Sequence, residues 1–260
     1  MASRSSTPLR VTAWVQLAGL VVLLIATWFV HAPTISPIDL VGGAIAGLAV
    51  SLSFVAFYGA LDRGQMSLLT PVVAIVGAVV PVVVELARGR GLSAAQLAGM
   101  FVALVAIVLV VQRSPDVVDN ERTPLRALGL AALSGFGFSF FFLALGETSP
   151  DAGLWPLVVT RSVSGLTAAM LALVVTGGID MPNARSRKLV VVSGIGDVAA
   201  MTLLLLALQR GPVAVATVVV SIYPIATVAW ARVVLGEQLR SLQWAGIALV
   251  FVALPLIAFA

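Results

Sequence analysis

One stretch of sequence occurs twice in this chain, as ALDRGQMSLLTPVVAIVGAVV (Ala60–Val80) and as ALQRGPVAVATVVVSIYPIAT (Ala207–Thr227). Farther along, GRGLSAAQLAGMFVALVA (Gly89–Ala106) corresponds to GEQLRSLQWAGIALVFVA (Gly236–Ala253), and one shift of 147 residues aligns both pairs without a gap. About a third of the aligned positions are identical, including polar positions that a general excess of Leu and Val does not explain. The chain therefore contains an internal repeat.

The composition of the chain is that of an integral membrane protein. Hydrophobic residues make up 60% of the sequence and charged residues 10%, with a mean hydropathy of +1.12. Soluble domains carry about 25% charged residues. A membrane-spanning helix needs about 20 apolar residues. Nine such runs are predicted as helices: Val11–Val30, Ile38–Leu61, Met66–Ala87, Ala94–Gln112, Ala127–Gly146, Leu154–Thr176, Leu189–Leu208, Val213–Leu235 and Leu242–Ala260.

The spacing of the two copies predicts that they point in opposite directions across the membrane. The second copy begins five predicted helices after the first, and an odd number of crossings inverts it. Inverted repeats build many secondary transporters, with a site near the bilayer midplane. The predicted fold is an all-α membrane protein of about nine helices in two inverted repeats, four plus five.

The second copy resembles the end of an EamA-type domain of the drug/metabolite transporter superfamily. The features that carry the resemblance are the Ala-Leu-x-Arg-Gly turn, the helix with Pro224, the pair Gly236 and Glu237, and then Gln243 and Gly246. The resemblance covers almost the whole chain and is clearest in its second half. It implies a fold of ten helices in two five-helix inverted repeats that moves small metabolites by alternating access.

The first copy departs from this family pattern. Arg90 stands where the pattern has Glu, and Pro81 is displaced by about one turn. The chain also looks as if it lacks the family's first helix. The resemblance therefore divides the sequence into a first EamA-like repeat (residues 1–113), a linker loop (114–126) and a second repeat (127–260).

Two charges fall inside the predicted membrane helices, Asp197 in LVVVSGIGDVAAM and Arg161 in LWPLVVTRSVSGL. Charges at this depth are costly, at about 2.5–3.5 kcal/mol on insertion scales, and usually face a cavity or a counter-charge. One interpretation is that Asp197 binds a substrate cation or a proton while Arg161 is its counter-ion or holds a substrate carboxylate. The other is a fixed structural ion pair, or Arg161 extending to the membrane surface.

Five further residues are candidates for the cavity or a gate. Gly194 and Gly196 flank Asp197, either for substrate to approach the backbone or for two helices to touch. Pro81 and Pro224 interrupt their helices, as a hinge or merely by freeing a carbonyl. Tyr223, beside Pro224, is a candidate to reach the cavity.

The sequence argues against an enzyme. Cysteine is absent and His31 is the one histidine, so neither a zinc site nor a serine nucleophile has its usual companions. No cofactor, metal or nucleic acid is expected. The predicted function is secondary active export of small organic metabolites from bacteria across the inner membrane, with proton coupling through Asp197 as a hypothesis. The alternative is a non-transporting scaffold or a shortened regulatory partner of a full-length transporter. Monomer and homodimer both remain open.

Overall fold

The computed structural model describes residues 8–111, 124–177, 184–223, 225 and 240–258, and these form nine α-helices and one short 3-10 helix, Pro150–Ala152. The α-helices are α1 (Pro8–Thr27), α2 (Pro37–Leu61), α3 (Met66–Ala87), α4 (Ala94–Val111), α5 (Leu125–Gly146), α6 (Trp155–Thr176), α7 (Ala184–Arg210), α8 (Val213–Ser221) and α9 (Ser241–Ala258).

Hydropathy locates these helices well but misjudges one end. Helix α3 begins and ends at the predicted residues, whereas α7 begins at Ala184, five residues before the predicted Leu189. The added turn is polar, and hydropathy detects only the part of a helix that is apolar enough for the bilayer. The predicted run Val213–Leu235 is represented by α8, and residues 226–239 lie outside the described part of the chain.

Within the described residues, six helices are long and apolar enough to cross a membrane: α2, α3, α5, α6, α7 and α9. Their outer surfaces are apolar as well. Val174 is 83% exposed, Leu203 68% and Phe251 74%. A surface that exposes so many large apolar side chains is suited to hydrocarbon rather than to water.

The internal repeat reappears in the helix boundaries. Helices α6, α7, α8 and α9 each begin 147 residues after α1, α2, α3 and α4, respectively. Related segments of sequence therefore form related helices. Helix α5 is the one described α-helix outside this set of pairs.

The chain forms two compact units, each of which combines helices from both copies of the repeat. Unit 1 comprises Met1–Ser51 and Phe140–Arg210, and unit 2 comprises Leu52–Ser139 and Gly211–Ala260. In unit 1, α1 packs on α6 and α7. In unit 2, α4 packs on α9, and α3 on α8.

In unit 1, two glycines bring the start of α2 against α6. A Cβ atom at Gly43 would lie 2.5 Å from the Pro156 carbonyl oxygen, and one at Gly47 would lie 2.7 Å from Cβ of Val163. The Thr160 hydroxyl donates a hydrogen bond of 2.9 Å to the Gly43 carbonyl. Small residues that let backbones approach are the usual contact surface between membrane helices. This contact fixes the rotation of α6, which carries Arg161.

In unit 2, a reciprocal pair of glycine contacts joins α4 to α9. A Cβ atom at Gly99 would lie 2.9 Å from Cβ of Leu256, and one at Gly246 would lie 3.1 Å from Cβ of Leu109. Gly246 and Leu256 are the positions of α9 that lie 147 residues after Gly99 and Leu109 of α4. Because the early part of each helix contacts the late part of the other, α4 and α9 run antiparallel.

A buried carboxylate in unit 2 caps the N-terminus of α8. Glu85, near the end of α3, is 1% exposed and accepts hydrogen bonds from the backbone N–H groups of Val213 (3.0 Å) and Ala214 (3.1 Å). Arg90 donates a third hydrogen bond, of 3.2 Å. The first N–H groups of a helix lack intrahelical acceptors and carry partial positive charge. Glu85 thus satisfies them and ties α3 to α8.

Replacing Glu85 with alanine should destabilise the protein. Glu85→Ala leaves two backbone donors and one guanidinium without their acceptor, at about 1–3 kcal/mol for each unsatisfied buried group. The control is Asp62→Ala, which removes an exposed carboxylate near the end of α2. In detergent, the melting temperature of Glu85→Ala should fall by several degrees while that of Asp62→Ala changes little. Equal melting temperatures would contradict the capping role.

Candidate functional site

Asp197 lies at the centre of the longest described helix. It is thirteen residues from each end of α7 (Ala184–Arg210), or about 20 Å at the helical rise of about 1.5 Å per residue. Its side chain is 36% exposed. The position is therefore remote from both ends of a membrane helix, and it is only partly covered by protein within the described structure.

Arg161 of α6 forms an ion pair with Asp197. Its Nη2 donates to Oδ2 of Asp197, and its side chain is 9% exposed. The predicted depths of the two residues left a gap between them, and the length of the arginine side chain closes it. The structure thus brings together the two charges that sequence marked as candidates.

A neutral residue that sequence reasoning missed, Gln16 of α1, completes the arrangement. Its Oε1 accepts a hydrogen bond from Nη1 of Arg161, and its Nε2 donates to Oγ of Ser164 at 3.2 Å. Arg161 and Ser164 are three residues apart and so share one face of α6. Gln16, Arg161, Ser164 and Asp197 together are called the ion-pair cluster below. One positive and one negative charge leave the cluster neutral.

Two glycines make room for the ion-pair cluster. A Cβ atom at Gly19 would lie 3.3 Å from Cζ of Arg161, and one at Gly194 would lie 3.2 Å from the backbone nitrogen of Gly19. Gly19 therefore leaves space for the guanidinium, and Gly194 lets α7 approach α1. A Cβ atom at Gly196 would meet nothing within 4 Å. Gly194 serves helix packing, whereas Gly196 faces open space in the described structure.

The remaining candidates from the sequence lie elsewhere. Pro81 is buried inside α3, and Tyr223, just after α8, is 55% exposed; both belong to unit 2, whereas the ion-pair cluster belongs to unit 1. Pro224 lies outside the described residues. Across the described ranges, no group of three or more His, Cys, Asp or Glu side chains is placed to hold a metal ion.

Gly194 and Gly196 provide a matched test of this geometry. Gly194→Leu should push α7 away from α1, because its first side-chain atom already meets backbone, and should separate Asp197 from Arg161. Gly196→Leu adds the same side chain two residues away without a collision. The melting temperature in detergent should fall markedly for Gly194→Leu only. Similar losses for both variants would contradict the packing described.

Three comparisons place the chain among known proteins. A family model described as the EamA-like transporter family matches residues 125–259, which is just over half of the 260 residues. No curated protein matches the chain. A solved structure titled only "Crystal structure of protein" is similar in fold, with a TM-score of 0.75 and 18% identity over 99% of this chain and 90% of that chain. The predicted resemblance is confirmed, and the chain belongs to the EamA-like transporter family.

Proposed function

We propose that this protein is a secondary active transporter that exports small organic metabolites by alternating access. Membership in the EamA-like transporter family supports transport, and the six apolar helices make the chain a multi-pass membrane protein. The observation that carries the proposal is the ion pair of Arg161 and Asp197 at the centre of membrane helices. Intramembrane charges usually mark a substrate or ion pathway.

Two inverted repeats, residues 1–113 and 127–260, joined by a loop at 114–126, are the architecture proposed for this transport. Support comes from the helix pairs 147 residues apart and from the antiparallel contact of α4 with α9, which is the relation that inversion requires. In such transporters one repeat moves against the other around a fixed site. The bacterial inner membrane is proposed as the location, because fourteen of the fifteen basic residues are Arg, a bias typical of GC-rich bacterial genomes.

Within this architecture, Asp197 is proposed as the residue that binds a proton or substrate, and Arg161 as its counter-charge. Asp197 is the more exposed of the two, at 36% against 9% for Arg161. A carboxylate that is partly open can exchange its ligand, whereas a buried guanidinium held by two groups serves as the fixed charge. Gly196, Tyr223, Pro81 and Pro224 are retained as proposed cavity or gate residues, and Gly194 acts through packing.

Asp197→Asn should abolish transport driven by a pH gradient while the protein stays folded, because the amide keeps an acceptor for Arg161 but cannot take up a proton. Substrates come first from an untargeted comparison of metabolites inside and outside cells, with and without the protein. The metabolite found is then measured in proteoliposomes under a pH gradient. The control is Asp151→Asn, which changes an exposed carboxylate in the 3-10 helix.

Full transport by Asp197→Asn would reject the role of Asp197. If the protein changes no metabolite at all, the result favours the alternative, a non-transporting scaffold or a regulatory partner of a full-length transporter. Comparable loss in Asp151→Asn would show that the assay reports general damage.

A further inference from the structure

The ion-pair cluster has a charge balance that restricts what it can bind. Among the described residues, Arg161 contacts one anionic group, Asp197, and its other side-chain contact is the neutral amide of Gln16. A buried ion pair that loses one member leaves an uncompensated charge, which costs several kcal/mol. Any ligand that enters must therefore leave the cluster close to neutral.

The charged groups around Asp197 are few. Helix α1 presents no titratable side chain between Ala13 and Thr27, and α6 contributes Arg161. The 3-10 helix, which also packs on α7, contributes the exposed Asp151. On α7 itself, the other charges lie near the ends of the helix, at Arg187, Lys188 and Arg210. The charge state of Asp197 is thus set mainly by Arg161 and by the ligand.

The balance can be worked out for each class of ligand. With Asp197 ionised, the empty cluster has a net charge of zero; an added cation raises it to +1 and an added anion lowers it to −1. An anion that enters together with one proton on Asp197 keeps it at zero. Uncompensated charge is least tolerated in a low-dielectric site. Electrostatics therefore favours an anion accompanied by a proton.

We propose that the ion-pair cluster binds an organic monocarboxylate together with one proton, the carboxylate on Arg161 and the proton on Asp197. This inference rests on the proposed function, since it names the substrate class of the same site. When Asp197 takes the proton, its hold on Nη2 of Arg161 weakens from an ion pair to a hydrogen bond. The incoming carboxylate then replaces it on the guanidinium, with the geometry that Arg offers such groups.

The contacts around Arg161 favour this exchange over the insertion of a zwitterion. Gln16 holds Nη1 and Gly19 lies against Cζ, so one edge of the guanidinium is covered by α1. Exchange is left to the Nη2 edge, where Asp197 is already in direct contact. A zwitterion such as glycine would need its ammonium and carboxylate groups to fit between these two side chains.

The test measures binding of sodium acetate to purified protein in a neutral detergent. Binding is followed by tryptophan fluorescence or melting temperature between pH 6 and 8, at constant ionic strength set with sodium chloride. If one proton accompanies each acetate, the dissociation constant in the wild type falls by up to about tenfold for each pH unit lowered. In Asp197→Asn, which needs no proton, acetate should bind with little pH dependence.

Three controls accompany this measurement. Asp151→Asn should keep the pH dependence of the wild type. The double variant Arg161→Gln with Asp197→Asn, which is neutral and so should fold, should not bind acetate. Methylammonium chloride and glycine replace acetate in parallel titrations and should bind more weakly to the wild type at pH 6.

The proposal is overturned if acetate binds neither the wild type nor Asp197→Asn, if its affinity for the wild type is independent of pH, or if methylammonium or glycine binds more tightly. These results leave the proposed function standing when transport still depends on Asp197. Conversely, proton-coupled acetate binding with full transport by Asp197→Asn would separate the binding site from the transport pathway and overturn the proposed role of Asp197 in transport.

Discussion

The buried guanidinium of Arg161 is the constraint around which unit 1 is arranged. A cation inside membrane helices requires a counter-charge, and Asp197 at the centre of α7 supplies it. The amide of Gln16 accepts a second guanidinium hydrogen bond. Three helices must therefore meet at one level, and they can do so because Gly19 and Gly194 have no side chains to hold them apart. Compensation of charge and close helix packing depend on each other here.

Unit 2 is held together by different means. Glycines 147 residues apart, Gly99 and Gly246, let α4 and α9 pack closely in an antiparallel pair, and the carboxylate of Glu85 joins α3 to the first turn of α8. Both contacts link a helix of the first copy to its counterpart in the second. A repeated sequence thus stabilises itself through contacts between equivalent helices, as α1 and α6 also do in unit 1.

Sequence predicted the membrane class, the positions of the helices and the charged pair, because each leaves a signal along the chain. Hydropathy marks spans, and a charge such as Asp197 stands out in an apolar run. Gln16 left a weaker signal, since neutral polar residues also occur on lipid-facing and packing surfaces. The difference between Gly194 and Gly196 and the capping by Glu85 left none, because hydropathy does not report which face of a helix meets which neighbour.

The most direct measurement is a comparison of melting temperatures in detergent for Arg161→Gln, Asp197→Asn and the double variant. If Arg161 and Asp197 compensate each other, each single change leaves one charge unbalanced, whereas the double change removes both. The double variant should then melt at a higher temperature than Arg161→Gln, and the single effects should not add. Strictly additive losses would contradict the view that this ion pair organises the site.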